Sequence, residues 1–306
     1  MTTAFVLSGG AALGAVQVGM LQALEAAGVR PDLVVGTSVG AINAAWIAGD
    51  PSGAHLDDLE ALWVSIRRGQ VFPSGPTGLF GLLGRRSGLV DQRQLRKLIS
   101  RHITYISCEL LEDAGVPLHV VVTDVLTGRD VRLSRGPVID AILASAAIPG
   151  VFAPVMISGR AYMDGGVVNN AAISHAVAEG ASIVYVLPTG WSCSLDRPPV
   201  GALGMALHGL AVLVQHRLAD DVDHFRSIID VRVVPPPCPI KVGPADFSHA
   251  RELIDQGRAS ATAWLSHRGE VDVRLLRPHD HPMPTASSSP GSSLVGRPNA
   301  TGAGLQ

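Results

Sequence analysis

Short apolar runs separated by glycine turns and longer mixed segments set the pattern from the first residues. Ala4-Phe5-Val6-Leu7 is too short for a helix and ends at Ser8-Gly9-Gly10, so it predicts a buried strand. Ala11 to Ala27 has helical composition and stops at Gly28, the glycine expected just past a helix C-terminus. Leu33-Val34-Val35 is a second β-branched run, followed at once by Gly36-Thr37-Ser38-Val39-Gly40 and then by a helical stretch from Ala41 to Ala48. Strand, glycine turn and helix, given twice in succession, is the pattern of a parallel α/β sheet.

The rest of the chain continues in that form. His55 to Arg67 is amphipathic, with Leu56, Leu59, Leu62, Trp63 and Ile66 on one face, and Asp91 to His102 predicts a helix capped by Asp91. Leu118 to Val122 predicts a buried strand, Leu126 to Arg129 a hairpin turn and Val131 to Leu133 its return strand. Helices are expected over Val138–Ile148, Ala171–Gly180, Leu203–Phe225 and Phe247–His267, and strands over Ile183–Leu187 and Ile228–Val234. Tyr162-Met163 forms a short strand before Asp164-Gly165-Gly166. Residues 69–88 are rich in Gly and Pro yet carry Phe72, Leu79, Phe80, Leu82 and Leu83, which predicts an exposed apolar loop in need of a partner. From Pro282 onward Ser, Pro, Gly and Thr dominate and Arg297 is the only charged side chain, so residues 282–306 are expected to be a disordered tail.

Composition narrows the function classes. With 47% hydrophobic residues, 306 residues can bury a substantial core. Lys+Arg 24 against Asp+Glu 26, with Lys97 and Lys241 the only lysines, leaves no basic footprint for nucleic acid, and 4% aromatics leave few stacking platforms. Cys108, Cys193 and Cys238 are too scattered for a disulfide framework or a CxxC metal site, so a reduced, cytoplasmic setting is expected. Thr2 to Leu24 carries no charge, but no basic stretch precedes it and Ser8-Gly9-Gly10 and Gly14 interrupt it, which favours a buried strand and helix over a signal or a membrane span.

Three glycine turns carry the candidate chemistry. Gly36-Thr37-Ser38-Val39-Gly40 is a G-x-S-x-G motif between strand and helix, the context of a nucleophile elbow, with the following helix N-terminus favouring negative charge at Ser38. Gly9-Gly10-Ala11-Ala12-Leu13-Gly14 lets backbone N–H groups approach a ligand oxygen. It lacks the Lys of a phosphate loop and the middle glycine of a dinucleotide loop, so no nucleotide is expected. Asp164-Gly165-Gly166 suits a carboxylate held in a tight turn. No metal site is expected, since there is no H-E-x-x-H and no His/Asp cluster, and no cofactor is implied. For a Ser-His-Asp triad, His119 and His175 are the nearest of 11 histidines, and no spacing singles either out.

In this order the three motifs resemble those of the patatin-like phospholipase family. Ser8-Gly9-Gly10 through Gly14 resembles its glycine-rich motif, and Gly36 through Ala44 its elbow. Ala144-Ser145-Ala146-Ala147-Ile148-Pro149, Phe152-Ala153-Pro154 and Asp164-Gly165-Gly166-Val167-Val168-Asn169-Asn170 resemble its later motifs. The resemblance implies a three-layer α/β/α fold with a mostly parallel central sheet. Residues 4–190 would form the catalytic domain and 191–281 would complete it. It also implies a lipid acyl hydrolase with a Ser38–Asp164 dyad, an oxyanion hole from Gly9, Gly10 and Ala11, and support from Gly14, Gly36, Gly40, Gly165 and Gly166. The substrate would be a lipid or membrane surface, met peripherally, with Phe72 to Leu83 flanking the site. Alternatives on the same dyad are an acyltransferase or thioesterase, and an inactive lipid-binding or regulatory protein. Two positions depart from the family. Ala11 replaces its third glycine, which should be tolerated if its φ is negative. Leu13 replaces an Arg or Lys, which removes a cation from head-group recognition.

Overall fold

The apolar run at the N-terminus forms β1 (Thr3–Leu7) at the centre of the sheet in the computed structural model, which describes residues 1–72, 88–90, 92–106, 108–190, 193, 195 and 197–267. The other strands are β2 (Leu33–Thr37), β3 (Gly88–Val90), β4 (Leu118–Asp124), β5 (Asp130–Leu133), β6 (Gly150–Phe152), β7 (Val155–Ile157), β8 (Arg160–Asp164), β9 (Ile183–Leu187) and β10 (Asp230–Val233). The helices are α1 (Ala15–Ala26), α2 (Val39–Gly49), α3 (Leu56–Ser65), the single turn α4 (Arg68–Val71), α5 (Arg93–Ile106), α6 (Val138–Ser145), α7 (Ile173–Ala178), α8 (Gly201–Phe225) and α9 (Ala250–Ser266).

The main sheet runs β10-β9-β1-β2-β4-β8-β7, with β5 pairing on β4. Pairing is parallel from β10 through β4 and antiparallel among β4, β5, β8 and β7. Strand alternation sends neighbouring side chains to opposite faces. Phe5, Leu7, Tyr185 and Leu187 join a core with α1, α2, α3, α5, α6 and α9, whereas Ala4, Val6, Val184 and Val186 join one with α7 and α8. These are the three layers expected from the sequence. On the first face α1 and α9 approach closely enough that a Cβ at Gly19 would strike the Ile254 carbonyl, and one at Gly257 the Val16 carbonyl. β10 and α9, both beyond residue 190, thus join the sheet and the core built by the N-terminal part.

Several details differ from the sequence expectation. The helix expected from Ala11 begins as a 3₁₀ turn over Ala11–Gly14. Phe72, expected in an exposed loop, is only 4% exposed and packs on Phe152 and Phe247, because the loop's first turn folds back on the core. The remainder of that loop (73–87), Asp91 and the tail lie outside the described residues. Among the described residues no helix is long and apolar enough to cross a membrane.

Register fixes where the site lies. Leu7 pairs with both Gly36 and Leu187, so Ser8, Ser38 and Thr189 leave the sheet together at the carboxyl ends of three parallel strands. β8 runs antiparallel against β4, and Asp164 is opposite Val122 at the same edge.

Candidate active site

Ser38 sits between the last residue of β2 and the first turn of α2 with φ 53° and ψ −125°, a conformation few non-glycine residues adopt. Two close approaches hold it. A Cβ at Gly40 would collide with the Leu7 and Ser8 carbonyls, so the elbow can pack against the end of β1 only as glycine. Ser38 N–H donates to Ser145 Oγ at 2.7 Å, and Ser145 Oγ–H donates to the Val121 carbonyl at 2.6 Å. Ser145 is fully buried at the end of α6, so it braces the strained elbow against β4.

The turn bends Ser38 Oγ toward Asp164, to whose Oδ2 it donates at 2.6 Å. Asp164 is 3% exposed, and its Oδ1 accepts from Gly166 N–H at 2.7 Å. Burial raises the Asp164 pKa from 3.8 to about 6, against the Ser38 and Gly166 hydrogen bonds that lower it. Gly165 makes the turn possible, since a Cβ there would meet the Val121 carbonyl. Gly36 lets α2 return over β2 beside Ala44, and Gly14 sits against Val39 and Trp63.

The glycine-rich loop after β1 lies alongside. Gly9 N–H donates to Asn170 Oδ1 at 3.0 Å, and the Gly9 carbonyl accepts from Asn170 Nδ2 at 3.3 Å and from Thr189 Oγ1 at 2.9 Å. Of the three expected donors, Gly9 is therefore already engaged. Gly10 and Ala11 N–H have no hydrogen-bond partner among the described residues. A buried polar chain anchors the loop's other side. Trp63 Nε1 donates to Asn43 Oδ1, Asn43 Nδ2 to Gln17 Oε1 and the Gly14 carbonyl, and Gln17 Nε2 to the Ser8 and Leu187 carbonyls.

Ala11 is at φ +50°, so the condition of a negative φ under which an alanine is readily tolerated there is not met. Ser8, Gly9 and Gly10 alone connect β1 to the 3₁₀ turn that Ala11 opens, and Ala12 N–H is tied to the Pro244 carbonyl. Alanine in this region is strained by about 1–2 kcal/mol, of which about 0.4–1 kcal/mol is returned by its stiffer unfolded chain. Ala11→Gly should therefore stabilise the protein by roughly 1 kcal/mol, a rise in Tm of about 2 °C. A lower Tm in calorimetry would show that the Ala11 side chain contributes more by packing than its backbone loses. Leu13 is 1% exposed in the core below the loop, so this position points inward and is filled as a core residue.

Ser38 stands where two cavities meet. The first, about 750 Å³ including its open mouth, is lined by apolar side chains, among them Ile42, Trp46, Trp63, Leu98 and Phe152, with Ser38 supplying the only hydroxyl among its lining residues. The second, about 630 Å³, holds Asp164, the Gly9–Ala11 loop, Asn170 and Thr189, and α8 lines it with Leu207, Leu210 and Val214. His119 and His175 line neither cavity. His119 Nε2 is 3.6 Å from Glu179 and His175 Nε2 is 2.9 Å from Asp130. Burial, aided by Arg132, holds both below the ordinary histidine range. Among the described residues no group of His, Cys, Asp and Glu could hold a metal ion.

Reading the motifs one by one missed the residues that hold them in place. Ser145 and Asn170 lie within stretches that carry the family resemblance, but only the structure gives them partners. Gln17 and Asn43 carried a signal, as polar residues in otherwise apolar helices, and Thr189 carried none.

The profile described as patatin-like phospholipase matches residues 5–177. Lysophospholipase NTE1 of Phaeosphaeria nodorum is 24% identical over 291 residues, covering 88% of this chain and 18% of that protein. Patatin-like phospholipase domain-containing protein 6 of Homo sapiens is 28% identical over 211 residues, covering 68% and 14%. An uncharacterised NTE family protein of Mycobacterium tuberculosis is 30% identical over 166 residues, covering 54% and 43%. The chain thus spans less than half the length of these relatives. The fold is similar to that of VipD from Legionella pneumophila, with a TM-score of 0.54 at 16% identity over 87% of this chain and 67% of that one.

Proposed function

Because the chain belongs to the patatin-like phospholipase family, we propose that it hydrolyses carboxylic esters of lipids with Ser38 as nucleophile and Asp164 as the sole general base. The observation that carries this reading is the 2.6 Å hydrogen bond from Ser38 Oγ to a buried carboxylate, made on a strained elbow at the mouth of an apolar chamber.

Each part of the geometry has a role in that chemistry. Ser38 Oγ attacks the ester carbonyl and its proton passes to Asp164 Oδ2. The carbonyl oxygen becomes an oxyanion that accepts from Gly10 and Ala11 N–H, with the α2 N-terminus adding positive potential. As the C–O bond breaks, Asp164 returns the proton to the leaving alkoxide, and the acyl group remains on Ser38. Water, deprotonated by Asp164, then releases the acid and restores the hydroxyl. The apolar chamber suits the acyl chain, and the second cavity, with Asn170, Thr189 and Gln215 among its walls, suits the alcohol part.

The test is labelling by a fluorophosphonate together with hydrolysis of p-nitrophenyl esters of graded chain length. Label on Ser38 alone, and kcat/KM rising from acetate to a medium-chain ester as the chamber fills, are expected. Retained labelling or hydrolysis in Ser38→Ala would overturn the assignment.

A further inference from the structure

The helix α8 has an outward face that its place at the surface does not explain. From Gly201 to His216 it contains no Asp, Glu, Lys or Arg. Its exposed positions there include Met205, Gly209 and Leu213, four residues apart and so stacked on one side, with Met205 50% and Leu213 69% exposed. Val200, just before the helix, is 86% exposed. The same outward stripe becomes charged at once beyond this point, with Arg217 and Asp220. A surface helix normally carries polar residues on its outer side along its whole length.

The apolar half is the half beside the candidate site. α8 connects the carboxyl end of β9 to the start of β10, and only a few residues separate Phe225 from Asp230, so its C-terminus lies at the far edge of the sheet. Its 25 residues span about 37 Å at 1.5 Å per residue, whereas the five-residue β9 spans about 17 Å. The N-terminal half therefore extends past the edge where Ser38 lies. Its inner side, Leu207, Leu210 and Val214, walls the cavity that contains Ser38 and Asp164. Another exposed apolar side chain leaves the sheet at this edge: Leu126, 90% exposed in the β4–β5 hairpin.

We propose that the N-terminal half of α8, through Met205, Leu213 and the adjoining Val200, is the face by which this protein docks on a lipid bilayer. The occupant follows from continuity. One helix contacts the substrate cavity with one side and water with an uncharged, apolar other side, so a lipid leaving the bilayer meets the cavity mouth without crossing water. The identity of the occupant rests on the lipid-ester reading, and the experiment separates the two.

Sedimentation with phosphatidylcholine vesicles, in a Ser38→Ala background so that nothing is hydrolysed, measures docking alone. The Met205→Glu/Leu213→Glu pair should reduce the partition coefficient at least tenfold. Ile228→Glu, at an equally exposed apolar residue near the far edge (56% exposed), should leave it unchanged. Melting curves establish that each variant is folded. Should the pair unfold, Leu213→Ser alone is expected to lower partitioning about threefold. No vesicle binding by the parent, equal binding by parent and paired variant, or equal loss in the Ile228→Glu control overturns the proposal. A concentration-dependent dimer dissolved by the paired substitutions, without vesicle binding, overturns it too and assigns the face to a second copy of the chain. Fluorophosphonate labelling in solution reads the hydrolase assignment independently: labelling without docking sinks only the docking face, and docking through α8 without labelling sinks only the hydrolase.

Discussion

Asp164→Asn should lose turnover by roughly 10³–10⁴-fold while becoming more stable than the parent at neutral and alkaline pH. The amide keeps the shape of the carboxylate. Its oxygen can still accept from Gly166 N–H and its NH₂ can donate to Ser38 Oγ, so the elbow remains in place but no base is left to take the proton. General-base catalysis is worth about 10²–10⁴-fold, and among the described residues no histidine lines either cavity to substitute.

The stability gain follows from the raised pKa. A carboxyl group with a folded-state pKa of about 6 and an unfolded value of 3.8 binds more protons folded than unfolded between those values. Its contribution to stability is fully present below pH 3.8 and is lost as pH rises through about 6. Above that, a charged, buried Asp164 destabilises the parent by up to about 3 kcal/mol, at about 1.4 kcal/mol per pKa unit. The asparagine variant escapes this, so its Tm should exceed the parent's at pH 8 and the difference should shrink toward pH 4. The same pKa sets the rate. In the parent, kcat/KM should fall on acidification with a midpoint near pH 6, because a protonated Asp164 cannot act as base. A variant that keeps activity, or an acid limb near pH 4, would remove Asp164 from the chemistry.

How much of this was legible in the sequence depends on the length scale of each feature. The layers and the parallel core follow from local signals, short β-branched runs and glycine turns, and the structure has them where expected. The elbow was legible because its strain needs glycine at 36 and 40, within two residues of Ser38. The pairing of Ser38 with Asp164 was legible only through the family resemblance and not from local signals: 126 residues separate them, and the register of β8 on β4 brings them together. The pairings of Gly9 with Asn170 and with Thr189 were not legible. Ala11 shows the converse. Its residue type argued for negative φ, but the demand of the turn and the tie to Pro244 override a local preference of about 1–2 kcal/mol. Phe72 sits in a glycine- and proline-rich stretch that reads as loop, yet two aromatic partners far along the chain bury it.

Asn170→Ala should lower kcat by about 10²-fold with little change in KM. Asn170 does not belong to the dyad. It holds Gly9 by both polar atoms, and Gly9 leads directly into the two N–H groups that remain free for an oxyanion. With the amide removed, Thr189 Oγ1 and the adjacent Ser8 Oγ still hold the Gly9 carbonyl, but nothing holds the Gly9 N–H, and the Gly10 and Ala11 donors lose their fixed direction. An oxyanion-hole donor is worth about 10²–10³-fold because it is aimed before the charge develops, and a donor that must be ordered during the reaction forfeits much of that. The ground-state ester carries little charge on its carbonyl oxygen, so KM should move far less than kcat. The acid limb near pH 6 should stay where it is, since Asp164 keeps its own partners. Asn170→Asp makes the contrast. It retains an acceptor for Gly9 N–H, but its carboxylate lies beside Gly166, next to Asp164. Asn170 Oδ1 and Asp164 Oδ1 are 2.7 and 3.0 Å from the point where a Gly166 Cβ would stand. A like charge so near disfavours ionisation of Asp164, so in Asn170→Asp the acid limb should move to higher pH while in Asn170→Ala it does not. A structural role alone would lower activity in both variants with no difference in pH profile, and that outcome would show that Asn170 supports the fold instead of positioning the donors.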